Sequence, residues 1–180
     1  MKNLKVRDIA MKGVLIVISA MVVVFGFSFA ASAIHEIIPS ETTIPEPGPD
    51  AAKLNEYIIK YNPYRAWSLW PEKGRLYKGT EPHGALLTTF VNDTAMHSIK
   101  KKKGMADGSI IVKENYTADK KFLSLSVMYK IKGYNPEGGD WFWVKYSPDG
   151  KAEASGKVKG CIDCHSKMKD NDFIFTGKVK

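Results

Sequence analysis

Two cysteines and a histidine close to the end of the 180-residue chain carry its clearest chemical signal, Cys161-Ile162-Asp163-Cys164-His165. This is the C-x-x-C-H pattern of c-type haem attachment. Two thiols one helical turn apart can each form a thioether with a haem vinyl group, and the adjacent imidazole can reach the iron. The pattern therefore predicts one covalently bound haem c, with His165 as the proximal iron ligand.

Three other uses of the cysteine pair fit the sequence less well. A disulfide between Cys161 and Cys164 would close a very small loop. A thioredoxin-like redox pair belongs in a βαβ setting, which the sequence does not show. A zinc site needs further cysteines or closely spaced histidines, and the chain has only two cysteines.

The N-terminal segment has the features of an export signal. A basic head ending at Lys12 precedes an uncharged, mostly apolar run from Gly13 to Phe29, and Ala31-Ser32-Ala33 supplies an A-x-A cleavage site. We expect cleavage after Ala33, so that residues 1–33 are a signal peptide. The alternative is an uncleaved membrane anchor over residues 13–34, which is long enough to span a bilayer. Either alternative predicts a bacterial periplasmic location for the folded part.

The formal net charge of +8 belongs partly to this segment. Residues 1–33 hold four Lys or Arg and one Asp, so about +5 remains on the rest of the chain. The sequence has no arginine-rich arm or nucleic-acid motif, and an exported protein meets no genome, which argues against nucleic acid as a partner. The basic surface indicates solvation, or docking to an acidic redox partner protein.

The remaining sequence predicts a stiff linker followed by one domain. Four prolines between residues 34 and 50 indicate a Pro-rich linker, and the domain is expected over residues 51–180. It begins with a predicted helix over residues 51–61, capped by Asp50. A second helix is expected from Asn92 or Asp93 to about residue 102.

Strand signals joined by short turns dominate the rest of the domain. The sequence predicts an α+β fold, predominantly antiparallel β-sheet with a few helices, because such connections favour antiparallel pairing. A helical cytochrome c would carry its haem motif near the mature N-terminus, so the late motif argues against that fold. The predicted strands cover residues 84–91, 109–116, 122–132, 140–147 and 151–155.

Six short stretches occur in a characteristic order between about Trp67 and Thr176. The D-G-x-x-x-V-K-E stretch and the order of the pieces indicate the family, whereas the haem motif is specific for haem alone. On these stretches the chain resembles the cytochrome P-460 family. The stretches are Glu81 to Gly84, Phe90 to Asn92, Asp107 to Glu114, Val127 to Lys130 with Gly133-Tyr134, Gly139 to Trp141, and Cys161 to His165 followed by Asn171 to Phe173.

The resemblance implies a mostly antiparallel β domain, a homodimer, and a five-coordinate haem with His165 as proximal ligand and the opposite face open to small molecules. P-460 enzymes have a lysine bonded to the porphyrin edge and oxidise hydroxylamine. Their relatives, the β-type cytochromes c-prime, share the fold without that bond and bind nitric oxide. Lys113 stands where the cross-linking lysine stands, so the resemblance makes it the candidate for a haem cross-link and for a catalytic role.

Strand alternation predicts the surroundings of Lys113. It places Ile111, Lys113 and Asn115 on one face and Glu114 on the other, so Glu114 should not share the pocket of Lys113. A lysine that faces a haem is desolvated, which lowers its pKa and favours the neutral, nucleophilic amine. The alternative is a strand lysine whose amine reaches solvent.

The residues expected around the haem do not decide between hydroxylamine oxidation and gas binding. Its flanking stretches, residues 85–90 and 124–129, contain no carboxylate and no arginine to accept the protons that hydroxylamine oxidation releases. We therefore expect an apolar pocket, which suits neutral diatomic gases better than proton-coupled oxidation.

A third hypothesis is a six-coordinate electron carrier. Its sixth ligand would come from Met96, Met128, His83 or His97. Met128 is interpreted first as core or pocket wall, His83 as a loop residue with a structural hydrogen bond, and His97 as a residue of the helix surface. The aromatic patch around Trp67 is expected in the core.

Overall fold

One antiparallel sheet of seven strands forms the frame of the domain. The structure of the protein is a computed structural model that describes residues 46–180. The predicted export segment and most of the predicted linker, residues 1–45, lie outside the described residues. Among residues 46–180, no helix is both long and apolar enough to cross a bilayer.

The strands follow the order β1-β3-β4-β5-β6-β7, and β2 pairs separately with β3. The predicted antiparallel α+β class is therefore confirmed, and all five predicted strands are present, with bounds that differ by at most two residues at either end. Two further strands of two residues each, β1 and β2, were not predicted from the sequence. The bounds are Ser68–Leu69 (β1), Tyr77–Lys78 (β2), Leu86–Val91 (β3), Ile110–Tyr116 (β4), Phe122–Lys130 (β5), Trp141–Tyr146 (β6) and Ala152–Gly156 (β7).

Within the described residues, three α-helices accompany the sheet, Ala51–Glu56 (α1), Asp93–Lys101 (α2) and Lys159–His165 (α3). The expected caps are present: the carboxylate of Asp50 accepts from Lys53 N at 3.0 Å, and Asn92 Oδ1 accepts from Ala95 N at 3.0 Å. A π-helical turn extends α1 over Tyr57–Tyr61. Shorter 3₁₀ turns cover Tyr64–Ala66, Pro136–Gly138 and Ser166–Asn171.

The two faces of the sheet build two separate cores, because successive side chains of a strand point to opposite sides. One core joins Phe90, Val112 and Val127 to α1 through Leu54 and Ile58. The other joins Val91, Ile111 and Trp143 to α2 and to the C-terminal segment, including Phe173 and Ile174. The aromatic patch is divided between these cores, as expected for core residues, with Tyr64, Trp67 and Leu69 in the first and Trp70 in the second.

Glu114 is a buried carboxylate on the α1 side of the sheet, opposite Lys113, as strand alternation predicted. It accepts hydrogen bonds from Tyr64 Oη at 2.8 Å, Arg65 Nε at 2.9 Å and Tyr116 Oη at 2.7 Å. These contacts attach the 3₁₀ turn after α1 to β4. A buried charge is tolerated where such partners satisfy it.

We expect Glu114→Ala to lower the free energy of unfolding by about 3 kcal/mol, because it leaves buried donors unpaired. Urea unfolding of the haem-loaded protein, followed by circular dichroism, measures this loss. Glu153→Ala is the matched control, since its ion pair with Lys145 at 2.8 Å is about half exposed and should contribute less than about 1 kcal/mol. Equal losses in the two variants would contradict this role of Glu114.

Candidate haem site

A cavity of about 200 Å³ lies on the α2 side of the sheet, between β4, β5, β6, the loop at Pro82-His83, α3 and the C-terminal segment. Its lining includes all four residues selected from the sequence: Lys113, Cys161, Cys164 and His165. The fold thus brings these residues together from β4 and from the distant α3. Their haem-binding roles stay predictions that this placement makes testable.

His165 ends α3 and is buried beside the cavity. Its Nδ1 lies 2.7 Å from the carbonyl oxygen of Phe173, and because a carbonyl only accepts, Nδ1 carries the hydrogen. The lone pair of the neutral ring is then on Nε2, and metal-binding histidines are commonly oriented by such a bond. The ring packs between Trp143 and Phe175, with centroids 4.7 and 5.2 Å away. The residue therefore fits an axial ligand of iron.

The carbonyl that orients His165 is held by an unusual turn. Asp172 and Phe173 have φ of 57° and 64°, a left-handed conformation that is uncommon for residues other than glycine. The carboxylate of Asp172 accepts from Lys130 Nζ and Met105 N, both at 2.6 Å, and the carbonyl of Asp172 accepts from Trp141 Nε1 at 3.0 Å. Tertiary contacts thus stabilise the strained backbone that presents the Phe173 carbonyl.

The two thiols are free and half-buried, and the structure joins them by no disulfide. Burial is the main reason that the pKa of the Cys161 thiol is raised. Within residues 46–180, no group of three or more His, Cys, Asp or Glu is arranged to hold a metal ion. Both thiols are therefore available for thioether bonds.

Lys113 is half-buried on β4, on the same strand face as Ile111 and Asn115. Burial lowers the pKa of its amine to about 8. At pH 7 the neutral fraction of such an amine is about 300 times that of an ordinary lysine. The protein alone therefore desolvates the amine of Lys113.

A polar network forms another part of the cavity wall. The Asn115 amide donates to Ser126 Oγ at 2.9 Å and to Ser124 Oγ at 3.1 Å. Its Oδ1 is buried and, among the described residues, has no hydrogen-bond partner. A buried acceptor of this kind indicates that a bound group or a water completes the site.

The cavity is lined mostly by apolar surface, as expected, and no carboxylate or arginine is among the lining residues that the structure describes. Strand register explains why one part of its wall is nevertheless polar. Lys113 pairs with Ser126 across β4 and β5, and Asn115 pairs with Ser124, so the serines share the face of Lys113. Reading one strand at a time does not reveal such cross-strand neighbours.

His83 also lines the cavity, with its ring centroid 6.1 Å from that of His165. It lies in a loop, as predicted, and its Nδ1 is 3.4 Å from Ser126 Oγ. The adjoining Gly84 has φ of +128°, and a Cβ there would lie 2.8 Å from the carbonyl oxygen of Tyr116. Glycine is therefore required for the loop to approach β4 this closely.

The other three candidate sixth ligands, Met128, Met96 and His97, lie in different places in the fold. Met128 lines the cavity, as expected for a pocket wall. Met96 lies on α2 and packs against the second core, and His97 is exposed on α2, so neither is in the cavity lining. Lys100 to Lys103 are exposed around the end of α2, as a solvated helix end should be.

We expect Lys113 to titrate near pH 8 in a haem-free Cys161→Ala/Cys164→Ala variant, because burial disfavours its charged form. Carbon-13 NMR of labelled lysines measures the midpoint, and Lys113→Arg identifies the signal. The exposed lysines serve as internal controls. A midpoint of Lys113 near theirs would show that its amine is solvated.

Comparison with known proteins agrees with this site. The family model described as Cytochrome P460 matches residues 62–176, which is more than half of the chain and includes Lys113 and the whole haem motif. A comparison with curated proteins found no match. On the strength of the family match, the chain belongs to the cytochrome P460 family and is a c-type haem protein of that family.

Proposed function

We propose that this protein is exported and uses one covalently attached haem c to handle small nitrogen compounds, either oxidising hydroxylamine or binding nitric oxide. His165 would hold the iron, and the haem would supply the position at which the small molecule binds. The observation that carries the proposal is the convergence of Lys113, both cysteines and His165 on one cavity.

Haem attachment needs only the residues present. Each thiol of Cys161 and Cys164 adds across one vinyl double bond, so that sulfur bonds to carbon and the thiol hydrogen moves to the neighbouring carbon. No electron is gained or lost in this addition. When bound, the haem supplies the redox-active iron and the binding position for the nitrogen ligand.

Lys113 is proposed to bond to the porphyrin edge. Its Nζ would replace one N–H and one porphyrin C–H by a carbon–nitrogen bond, with loss of two protons and two electrons. That step needs a two-electron oxidant, for which a peroxide is the chemical class we propose. The lowered pKa of Lys113 supports it, because only the neutral amine has a lone pair to attack.

The polar wall distinguishes the two reactions that we propose. Oxidation of hydroxylamine releases protons, and the hydroxyls of Ser124 and Ser126 could pass them along hydrogen bonds, whereas the Asn115 amide orients both hydroxyls by donating to them. Binding of nitric oxide requires no proton transfer. The network therefore favours the oxidation more than the sequence alone did.

The proposal extends to location and partners. A periplasmic location, with residues 13–34 as a membrane anchor if they are not cleaved, follows from the sequence of the N-terminal segment. The resemblance to the family supports the proposal of a homodimer, and the basic charge supports that of an acidic redox partner protein.

We expect the haem of the purified protein to stay bound to the chain after chemical cleavage of its two thioether bonds, because Lys113 provides a third covalent bond. Intact-protein mass and optical spectra before and after cleavage measure this. Lys113→Ala should lose its haem on cleavage and should lose any red shift of the Soret band. Lys145→Ala is the matched control, since Lys145 also lines the cavity but is paired with Glu153.

Two results would contradict different parts of the proposal. Protein exported without covalent haem would refute the haem-protein function itself. Covalent haem that is fully released from the unaltered protein by thioether cleavage would refute the cross-link and leave nitric oxide binding as the favoured reaction.

A further inference from the structure

We propose that Lys130 and Trp141 are positioning residues for His165, and that they thereby influence the reduction potential of the haem. They act through Asp172, which forms the turn that presents the Phe173 carbonyl to His165. The inference deepens the proposed function and rests on it, because it requires a haem whose iron is held by His165. Neither Lys130 nor Trp141 is among the residues that line the cavity, so both act through other residues.

Lys130 is the buried cation of this network. Its side chain is only 14% exposed, and its Nζ donates to the Asp172 carboxylate at 2.6 Å and to the Gly139 carbonyl at 2.7 Å. Nζ also lies 4.8 Å from the centre of the Trp141 ring, a cation–π distance. Because little water reaches the ion pair, loss of one partner would leave the other charge buried and unpaired.

Trp141 holds the backbone of the residue whose side chain Lys130 holds. Its buried Nε1 donates to the Asp172 carbonyl at 3.0 Å. The carboxylate of Asp172 also accepts from Met105 N at 2.6 Å. Contacts from β5, β6 and the loop after α2 therefore fix Asp172 at both its side chain and its carbonyl.

The fixed position of Asp172 determines where the next carbonyl points. Its carbonyl belongs to the planar peptide unit that joins it to Phe173, so holding that oxygen holds the whole unit. Phe173 N, in the same unit, donates to Met168 O at 2.8 Å. The following unit, which carries the Phe173 carbonyl, is fixed by Ile174 N donating to Asn171 O at 3.1 Å. The direction of the Phe173 carbonyl therefore depends on the contacts of Asp172.

The bond at the end of this network bears on the iron. The Phe173 carbonyl accepts from His165 Nδ1 at 2.7 Å. A well-placed acceptor on Nδ1 makes an imidazole a more basic metal ligand. A more electron-rich axial ligand favours ferric over ferrous iron and so lowers the reduction potential of a haem. A loosened turn should therefore weaken the electron donation of His165 and raise the potential.

A role in stability alone predicts a different result. Loss of the buried contacts would lower the free energy of unfolding under either interpretation. Only a positioning role also changes the properties of the iron in molecules that remain folded. The thioether bonds of Cys161 and Cys164 would retain the haem in every variant, so the iron can be compared among folded samples.

The first test compares Trp141→Phe with Trp67→Phe. Neither substitution changes a charge, and each removes one indole N–H bond, but the bond of Trp67 to Asn62 at 2.8 Å lies on the opposite side of the sheet. Spectroelectrochemistry of the haem-loaded proteins measures the midpoint potential, and resonance Raman spectroscopy of their ferrous forms measures the stretching frequency of the iron–His165 bond. We expect a higher potential and a lower frequency in Trp141→Phe alone. At a fixed electrode potential its ferric-to-ferrous ratio should fall about tenfold, the lower end of the effect of such outer hydrogen bonds.

The second test removes the ion pair in the double variant Lys130→Met/Asp172→Asn. Its net charge equals that of the unaltered protein, so the direct effect of a lost charge on the iron is avoided. Asparagine also tolerates the left-handed conformation of residue 172. We expect the same two changes as in Trp141→Phe, measured in the same way.

The inference requires both changes in each folded variant. Absence of either change, even with a loss of stability, or changes of equal size in Trp67→Phe, would overturn it. If one of the two variants does not fold, the other decides by the same outcomes. A pyridine haemochrome assay of the unaltered protein distinguishes this from a failure of the proposed function, because absence of covalent haem would refute that function, whereas haem c with unchanged iron in the variants would refute only the positioning role.

Discussion

The hydrogen bond from His165 Nδ1 to the Phe173 carbonyl is the contact on which the site depends. It fixes the tautomer of the imidazole, and with Trp143 and Phe175 it fixes the direction of Nε2. The bond exists only because Asp172 and Phe173 adopt a left-handed turn, which the ion pair of Asp172 with Lys130 stabilises. Lys130 at the end of β5 and the turn at Asp172 and Phe173 therefore position His165, which lies on α3.

The two faces of the sheet have different roles: one packs against α1, and the other lines the cavity. Adjacent residues of β4 show this directly, since Glu114 joins β4 to the turn after α1 and Lys113 lines the cavity. A carboxylate beside Lys113 would hold its amine charged, whereas burial alone lowers its pKa. The alternation of one strand thus allows a buried carboxylate and a lysine of lowered pKa to be neighbours in sequence without interacting.

Much of this could be predicted from the sequence because the signals are local. The C-x-x-C-H spacing, the alternation of β5 and the caps Asp50 and Asn92 each lie within a few residues, and the predicted strands and helices follow them. The polar part of the cavity wall could not be predicted in this way, since it depends on the pairing of Lys113 with Ser126 across two strands. The approach of His83 to His165 depends on a loop conformation that no periodicity encodes.

The central claim is that His165 holds the iron of a haem seated in the cavity lined by Lys113, Cys161 and Cys164. A crystal structure of the haem-loaded protein, with the iron located by its anomalous scattering, tests it most directly. We predict iron bonded to His165 Nε2, thioether bonds from both cysteines, and Nδ1 still donating to the Phe173 carbonyl. Iron bonded through another residue, or a His165 ring turned away from the cavity, would contradict the account.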